Sequence, residues 1–262
     1  MPCRSEKLIY TLRECRDYFE AEFVKTVDLD PSKNYLFGSH PHGVYCYGLL
    51  PSFISTRSLR KVFPGLNVRI STLDVNWFIP FWREIQIAFG TCSVSRKSLE
   101  HVLTKMGPGA SVVIVVGGAA EALRARKGTN DILLGRKGFV KVAIQTGASL
   151  VPTFTFGEND LYHQLTPETW PPIASFHTWM KKKLTFSVPL IWGAFWFFPR
   201  KVKMAVVAGA PIEVEKQADP SDEYINEIHK QYVKALEELY DAHKERFAKG
   251  RRRDLKIFDA LE

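Results

Sequence analysis

Apolar positions along this chain recur at two periods, and the order in which the periods alternate lays out strands and helices in turn. From residue 6 to 26, Leu8, Leu12, Cys15, Phe19 and Phe23 recur at helical spacing with charges between them, which predicts an amphipathic helix. Tyr35-Leu36-Phe37 predicts a short strand running into Gly38-Ser39-His40-Pro41-His42-Gly43, where two glycines and a proline demand a loop. Val68 to Ser71 predicts a further strand. Val112 to Val116 is apolar and β-branched throughout and stops at Gly117-Gly118, the pattern of a strand covered on both faces and then a turn. Helical spacing resumes at Phe139, Val142, Ala143 and Thr146, with Gly147 placed as the C-cap. Strands follow at Leu150 to Phe156 and Met204 to Val207. A long helix from Ser221 to Ala248 is opened by Asp219-Pro220-Ser221-Asp222 and carries Ile225, Ile228, Tyr232, Leu236, Leu239, His243 and Phe247 along one face. This order predicts an α/β fold with a largely buried central sheet flanked by helices. No repeat or low-complexity linker divides residues 1–262, which are read as one domain.

Composition narrows the class. With 45% hydrophobic and 13% aromatic residues the chain fills a core, which excludes disorder. Cys3, Cys15, Cys46 and Cys92 stand in no CxxC spacing, so neither a disulfide framework nor structural zinc is indicated, and a reducing, cytosolic setting is expected. Residues 1–22 carry many charges and no continuous apolar run, so no signal peptide is read there. A net charge of +8 implies an anionic partner: nucleic acid, a phosphate-bearing molecule or an acidic membrane. The basic runs, Lys244 to Lys256 and Lys181-Lys182-Lys183, lack interleaved aromatics, which argues against nucleic acid. They suit an acidic leaflet, or, for the C-terminal run, simply a solvated helix end. The longest uncharged stretch, Leu184 to Pro199, is too short to span a bilayer and is interrupted by Pro189 and Gly193. Its Trp192, Phe195, Trp196, Phe197 and Phe198 fit a core or a membrane interface, and the adjoining lysines favour the interface.

The candidate chemistry lies in two loops at predicted strand ends. His40 and His42 sit two apart, held by Pro41 and flanked by Gly43, which lets a substrate approach closely. Three readings compete: a metal-ligand pair, two structural histidines, and a general base, which imidazole suits near neutrality. The other histidines form no metal motif with the pair, so no metal is expected and the general base is favoured. Glu121, just past Gly117-Gly118, is a carboxylate that a parallel neighbouring strand would bring beside His42, to fix its tautomer and stabilise its charged form. Its alternative is an ordinary acid near a helix N-terminus. Arg136-Lys137-Gly138 puts cations where a helix begins, which suits a phosphate-bearing ligand or a solvated turn. Glu158 and Asn159 add polar groups after the apolar strand.

In combination these motifs resemble those of the monoacylglycerol and diacylglycerol O-acyltransferases and their wax-alcohol relatives. The matching pieces are RDYF (16–19), NYLFGSHPHGV (34–44), FPG (63–65), VVGGAAEAL (115–123), RKGFVKVA (136–143) and LVPTFTFGEND (150–160), continuing through GAPIEV (209–214) and KALEELYDAHKERF (234–247). The resemblance implies an enzyme that esterifies diacylglycerol or monoacylglycerol with acyl-CoA as co-substrate and no resident cofactor. The acceptor alternative is a long-chain alcohol, as in wax synthases; a non-catalytic lipid-surface protein with the same fold is the other. It places the base on His42, with His40 beside it, and the acid on Glu121. Pro41, Gly43, Gly117, Gly118, Arg136, Lys137, Gly138, Glu158 and Asn159 become the substrate-binding candidates. It implies the cytosolic face of the endoplasmic-reticulum membrane or a lipid droplet, and is silent on oligomeric state. Family members commonly begin with a hydrophobic hairpin, so the expectation here is a fragment or a member attached through its surface. In 184–203 the family's histidine-glycine-arginine-glycine stretch is replaced by Pro189-Leu190-Ile191-Trp192-Gly193-Ala194-Phe195, which leaves acceptor choice open.

Overall fold

A computed structural model describes residues 6–54, 56–165, 170–173, 175, 176, 179 and 189–259. Lys181-Lys182-Lys183 and residues 184–188 of the uncharged stretch lie outside the described residues. In chain order the first half contains α1 (Glu6–Tyr18), β1 (Glu22–Lys25), β2 (Tyr35–His40), α2 (Thr56–Val62), β3 (Asn67–Thr72), α3 (Trp82–Phe89), β4 (Cys92–Ser93), α4 (Arg96–Lys105) and β5 (Ala110–Val115). The second half contains α5 (Gly118–Ala122), β6 (Asp131–Leu133), α6 (Gly138–Thr146), β7 (Ser149–Phe156), β8 (His163–Gln164), β9 (Ile191–Trp192), β10 (Ala205–Ala208), α7 (Asp222–Phe247) and β11 (Lys256–Phe258).

Seven strands form the main sheet in the order β1-β10-β7-β2-β5-β3-β4. Only the β10–β7 pair within it is antiparallel. The alternation of side chains across β2 divides the core in two. Leu36 joins Val112, Ile114 and Leu150 under α4, α6 and α7, while Tyr35 and Phe37 join Val113, Val151, Val206 and Phe53 on the other face, beside Leu59 of α2. Both faces are therefore covered, which is why β5 reads as an unbroken apolar run from Val112 to Val115 and why all eight residues of β7, its threonines included, are buried. The predicted α/β layering is observed.

Local signals account for most boundaries. Gly147 caps α6 in the left-handed conformation, with its N–H reaching the carbonyls of Ala143 and Ile144. The Ser221 hydroxyl caps α7 by accepting from the Tyr224 N–H at 3.2 Å. Two expectations need correction. The helix expected over 6–26 stops at Tyr18, where Glu20 turns to φ 46°, and residues 22–25 pair with β10 instead; Phe19 and Phe23 fit a helical period, yet Phe23 also fits a strand's alternation. The strand at 35–37 continues through Gly38 and Ser39, paired on both sides, to His40, which pairs with β7 alone. Gly38 is thus no loop glycine: a Cβ there would lie 2.0 Å from the Tyr232 hydroxyl, so it marks the close approach of α7.

The C-terminal basic run is also less available than its sequence suggests. Lys244 pairs with Asp241 and Asp254, Arg246 with Glu22, Arg251 with Glu245 and Asp254, and Arg253 with Asp131.

Candidate active site

Parallel pairing of β2 with β5 sets Ser39 opposite Val115, so the chain leaves the sheet at His40-Pro41-His42 and at Val116-Gly117-Gly118 side by side. The neighbouring-strand expectation that joined these two loops therefore describes the fold. The His40–Pro41 peptide is cis.

The two histidines differ in exposure and in hydrogen-bond partners. His40 is fully buried. The Tyr232 hydroxyl donates to the Gly38 carbonyl at 3.0 Å, so its oxygen accepts from His40 Nε2–H, also at 3.0 Å. That leaves Nδ1 as a lone pair with no hydrogen-bond partner, and burial pushes the pKa down to about 3. A neutral ring locked between a strand and α7 holds the strand end in place and presents no atom to a substrate. His42 is half-buried. Its Nδ1–H donates to the Gly43 carbonyl at 3.0 Å, which leaves Nε2 as the basic nitrogen. Burial lowers its pKa, and the Gly43 carbonyl pulls in the other direction.

Glu121 is buried, and both of its oxygens take backbone N–H groups: Oε1 that of His42 and Oε2 that of Leu133, the latter at 2.6 Å. The role expected of this carboxylate, as partner of the imidazole, falls here to the Gly43 carbonyl. Glu121 instead fixes the backbone from which His42 projects. Burial raises its pKa to about 7 against the opposing pull of the two amide donors. Glu158 repeats the device at the loop's far end. Its Oε1 accepts from Tyr47 N–H at 2.9 Å and its Oε2 from Gly48 N–H at 2.8 Å, and burial raises it to about 7 as well. Gly43, at φ +57°, packs so tightly on Glu158 that a Cβ would lie 2.4 Å from its Cγ. Two buried carboxylates thus clamp residues 42–48 from either end.

At the glycine turn, a Cβ on Gly117 would meet Glu121 Oε2 at 2.0 Å, and Gly118 has φ +59° with Arg136 Nη1 3.4 Å from its Cβ position. The exposed Arg136 therefore reaches back over the turn, adjoining the Glu121 and His42 group. Lys137 is drawn off to α7, where Nζ donates to Asn226 Oδ1 at 2.6 Å, and Gly138 opens α6 with free space around it. Pro41, His42, Gly43, Gly117, Gly118, Glu121 and Arg136 thus collect at one end of the sheet. Glu158 belongs to the scaffold of that site, being only 2% exposed. Asn159 faces elsewhere, donating to the Thr129 carbonyl at 3.0 Å and lining a separate cavity. Three contributors were not singled out from the sequence: the Gly43 carbonyl, Tyr232 and the clamping function of Glu158. Tyr232 stood among apolar neighbours on the helix face, and its buried hydroxyl was the available signal, since such a group requires a partner. Among the described residues no group of three or more His, Cys, Asp or Glu side chains is arranged to hold a metal.

This end of the sheet also carries the large exposed apolar side chains. Beyond β3 stand Phe78 and Phe81, and the hairpin that begins at β9 raises Phe195, Trp196 and Phe197 into solvent, 87%, 81% and 75% exposed. Phe195 and Trp196 both adopt positive φ at the hairpin tip, a costly conformation for bulky residues. Among the described residues no helix is long and apolar enough to cross a membrane.

The family model described as diacylglycerol acyltransferase matches residues 5–257. A diacylglycerol O-acyltransferase 2A of Umbelopsis ramanniana is 42% identical over 255 residues, covering 92% of this chain and 71% of that protein. A human 2-acylglycerol O-acyltransferase 3 is 40% identical over 247 residues, covering 89% and 71%. Among solved structures, a 1-acyl-sn-glycerophosphate acyltransferase of Thermotoga maritima aligns with a TM-score of 0.43 at 14% identity, covering 91% of this chain and 84% of that one.

Proposed function

This chain belongs to the diacylglycerol acyltransferase family and is an acyltransferase, and we propose that it moves a fatty acyl group from acyl-CoA to the free hydroxyl of diacylglycerol or monoacylglycerol. The observation that carries this reading is the His42 ring, whose Nδ1–H is committed to the Gly43 carbonyl so that Nε2 is the proton acceptor. Nε2 takes the proton of the acceptor hydroxyl as its oxygen bonds to the thioester carbonyl carbon. When the tetrahedral adduct collapses, the C–S bond breaks and the CoA sulfur leaves with the proton from Nε2–H, which restores the neutral imidazole. Backbone N–H groups at Gly43 or Gly118 stabilise the oxyanion, and Arg136 takes an anionic group of the donor. Glu121 and Glu158 hold the loop without touching the reacting atoms. The exposed aromatics around residues 78–81 and 192–198 rest on a membrane or lipid-droplet surface, which brings the site to its water-insoluble acceptor.

Purified protein given labelled oleoyl-CoA with monoacylglycerol, diacylglycerol, a fatty alcohol or a lysophospholipid tests the reading. Ester formation on the acylglycerols is expected. Wax ester as the main product would overturn the acceptor assignment, and no ester from any acceptor would overturn the reaction.

A further inference from the structure

Beside the hairpin lies a cavity of about 260 Å³ that the proposed chemistry does not use. Its walls include Lys127, Arg200, Arg251, Arg252, Asn159 and Asp160. Asp160 accepts the Gly128 N–H at 2.6 Å, and Arg251 is spent on Glu245 and Asp254. Lys127, Arg200 and Arg252 are in no ion pair among the described residues. Two atoms in these walls are buried without a hydrogen-bond partner: Nη1 of Arg200, a donor, and Oδ1 of Asn159, which a protonated phosphate oxygen can satisfy. A buried guanidinium nitrogen without an acceptor is costly unless an anion supplies one. The three cations also act on His163, whose pKa is lowered first by burial and then by Arg200, Lys127 and Arg252.

The position identifies the anion. His163 stacks on Trp192 at a centroid distance of 5.5 Å, and Arg200 follows Pro199 directly at the foot of the aromatic hairpin. Aromatic rings that enter a bilayer interface set whatever lies at their base at the depth of the lipid phosphates. A phosphomonoester brings up to two negative charges and three acceptor oxygens, a match for three cations that pair with no acid among the described residues.

We propose that this cavity binds the phosphate of an anionic membrane glycerophospholipid, with a phosphomonoester headgroup preferred. Arg200 and Arg252 grip the phosphate oxygens, Lys127 adds charge from the rim, and the bound lipid fixes how the hairpin sits on the surface. The choice of a lipid over the nucleotide of acyl-CoA rests on the membrane reading of the hairpin given above. Arg136, at the glycine turn, is the cation left for the donor.

The test uses the full chain with vesicles of phosphatidylcholine alone, with phosphatidic acid added, or with phosphatidylglycerol at matched surface charge. Wild type is expected to bind the phosphatidic acid vesicles most tightly. The Arg200→Gln, Arg252→Gln double variant should lose about tenfold on those vesicles and keep its phosphatidylcholine binding and its KM for oleoyl-CoA. Thermal melting monitors its fold, and the exposed Lys127→Gln provides a second variant if the double variant does not fold. Equal response to the two anionic lipids overturns the proposal in favour of diffuse surface charge. A raised KM for oleoyl-CoA with phosphatidic acid binding intact overturns it in favour of the donor nucleotide. Calorimetry with short-chain phosphatidic acid below its micelle concentration separates the pocket from the hairpin: the Arg200→Gln, Arg252→Gln loss should persist in solution even if serine replacements in the hairpin leave vesicle binding unchanged, and no binding to wild type there overturns the pocket alone.

Discussion

Two segments at the same end of the sheet treat water in opposite ways. Around His42 the chain buries groups that water would welcome: Glu121 and Glu158 are 1% and 2% exposed, and each gives both oxygens to backbone N–H groups. Around Trp196 it exposes groups that water rejects, and holds two of them at positive φ. Either arrangement lowers stability by the ordinary rules of burial. Each also fixes a shape that an apolar core or a polar surface would leave undetermined. Breaking local rules in opposite directions within one face fits a site that must position a base accurately while meeting a surface of lipid.

The comparison is broken most strongly at His42. His42→Ala is expected to lower turnover by about 10²–10⁴-fold with little change in melting temperature, because its ring is half-buried and its one hydrogen bond is to a neighbouring carbonyl. His40 should respond through the fold instead. Tyr232→Phe removes the hydroxyl that joins His40 to Gly38 and leaves a buried ring N–H unpaired, at a cost of about 1–3 kcal/mol. A thermal melt beside an activity assay separates the two, and a His42→Ala enzyme with wild-type turnover would sink the proposed base.

The exposed segment should show the reverse pattern. Trp196 and Phe197 are largely in water already, and Trp192 gives up mainly its stacking on His163, so replacing the three by serine should change circular dichroism and melting little. Liposome binding should fall by roughly tenfold or more for each residue that enters the lipid, since each aromatic buried there contributes about 1.5–3 kcal/mol. Collapse of the fold without a specific binding loss would return the hairpin to the protein core.

Sequence alone made the frame of this site legible, because its signals are local. Gly147 after a periodic segment marks a helix end, an unbroken β-branched run marks β5 as a buried strand, and its parallel pairing with β2 brings Gly117-Gly118 to His42. What stayed hidden depends on side chains that meet from distant parts of the chain. Glu158 is 110 residues from Gly48 and Tyr232 is 192 residues from His40, separations at which no periodicity signals a contact. The backbone partners of Glu121 are hidden for a related reason. Proximity of loops says which residues meet but not whether a carboxylate reaches a ring or a backbone amide.

Glu121→Gln sharpens that last distinction and is expected to have the smallest effect. An acid that held the imidazole would fix its tautomer, and neutralising it would disable the base. Here the Gly43 carbonyl fixes the tautomer, so glutamine leaves Nε2 basic and disturbs His42 only through its backbone. Turnover should fall by about tenfold, with the pH-rate profile unmoved, and the double variant with His42→Ala should be scarcely worse than His42→Ala alone. Stability carries a second signature. The folded pKa of Glu121 is raised from an ordinary 4.5 to about 7, so its contribution is fully present below pH 4.5 and is lost as pH rises through about 7. Glutamine does not titrate, and its amide opposes one of the two backbone donors at every pH. The variant should therefore melt well below wild type at pH 5 and recover part of the gap at pH 8, while Glu158 keeps some of the downward slope in both proteins. A shifted pH-rate profile, together with a loss of turnover near that of His42→Ala, would mean that the carboxylate turns to the ring during catalysis.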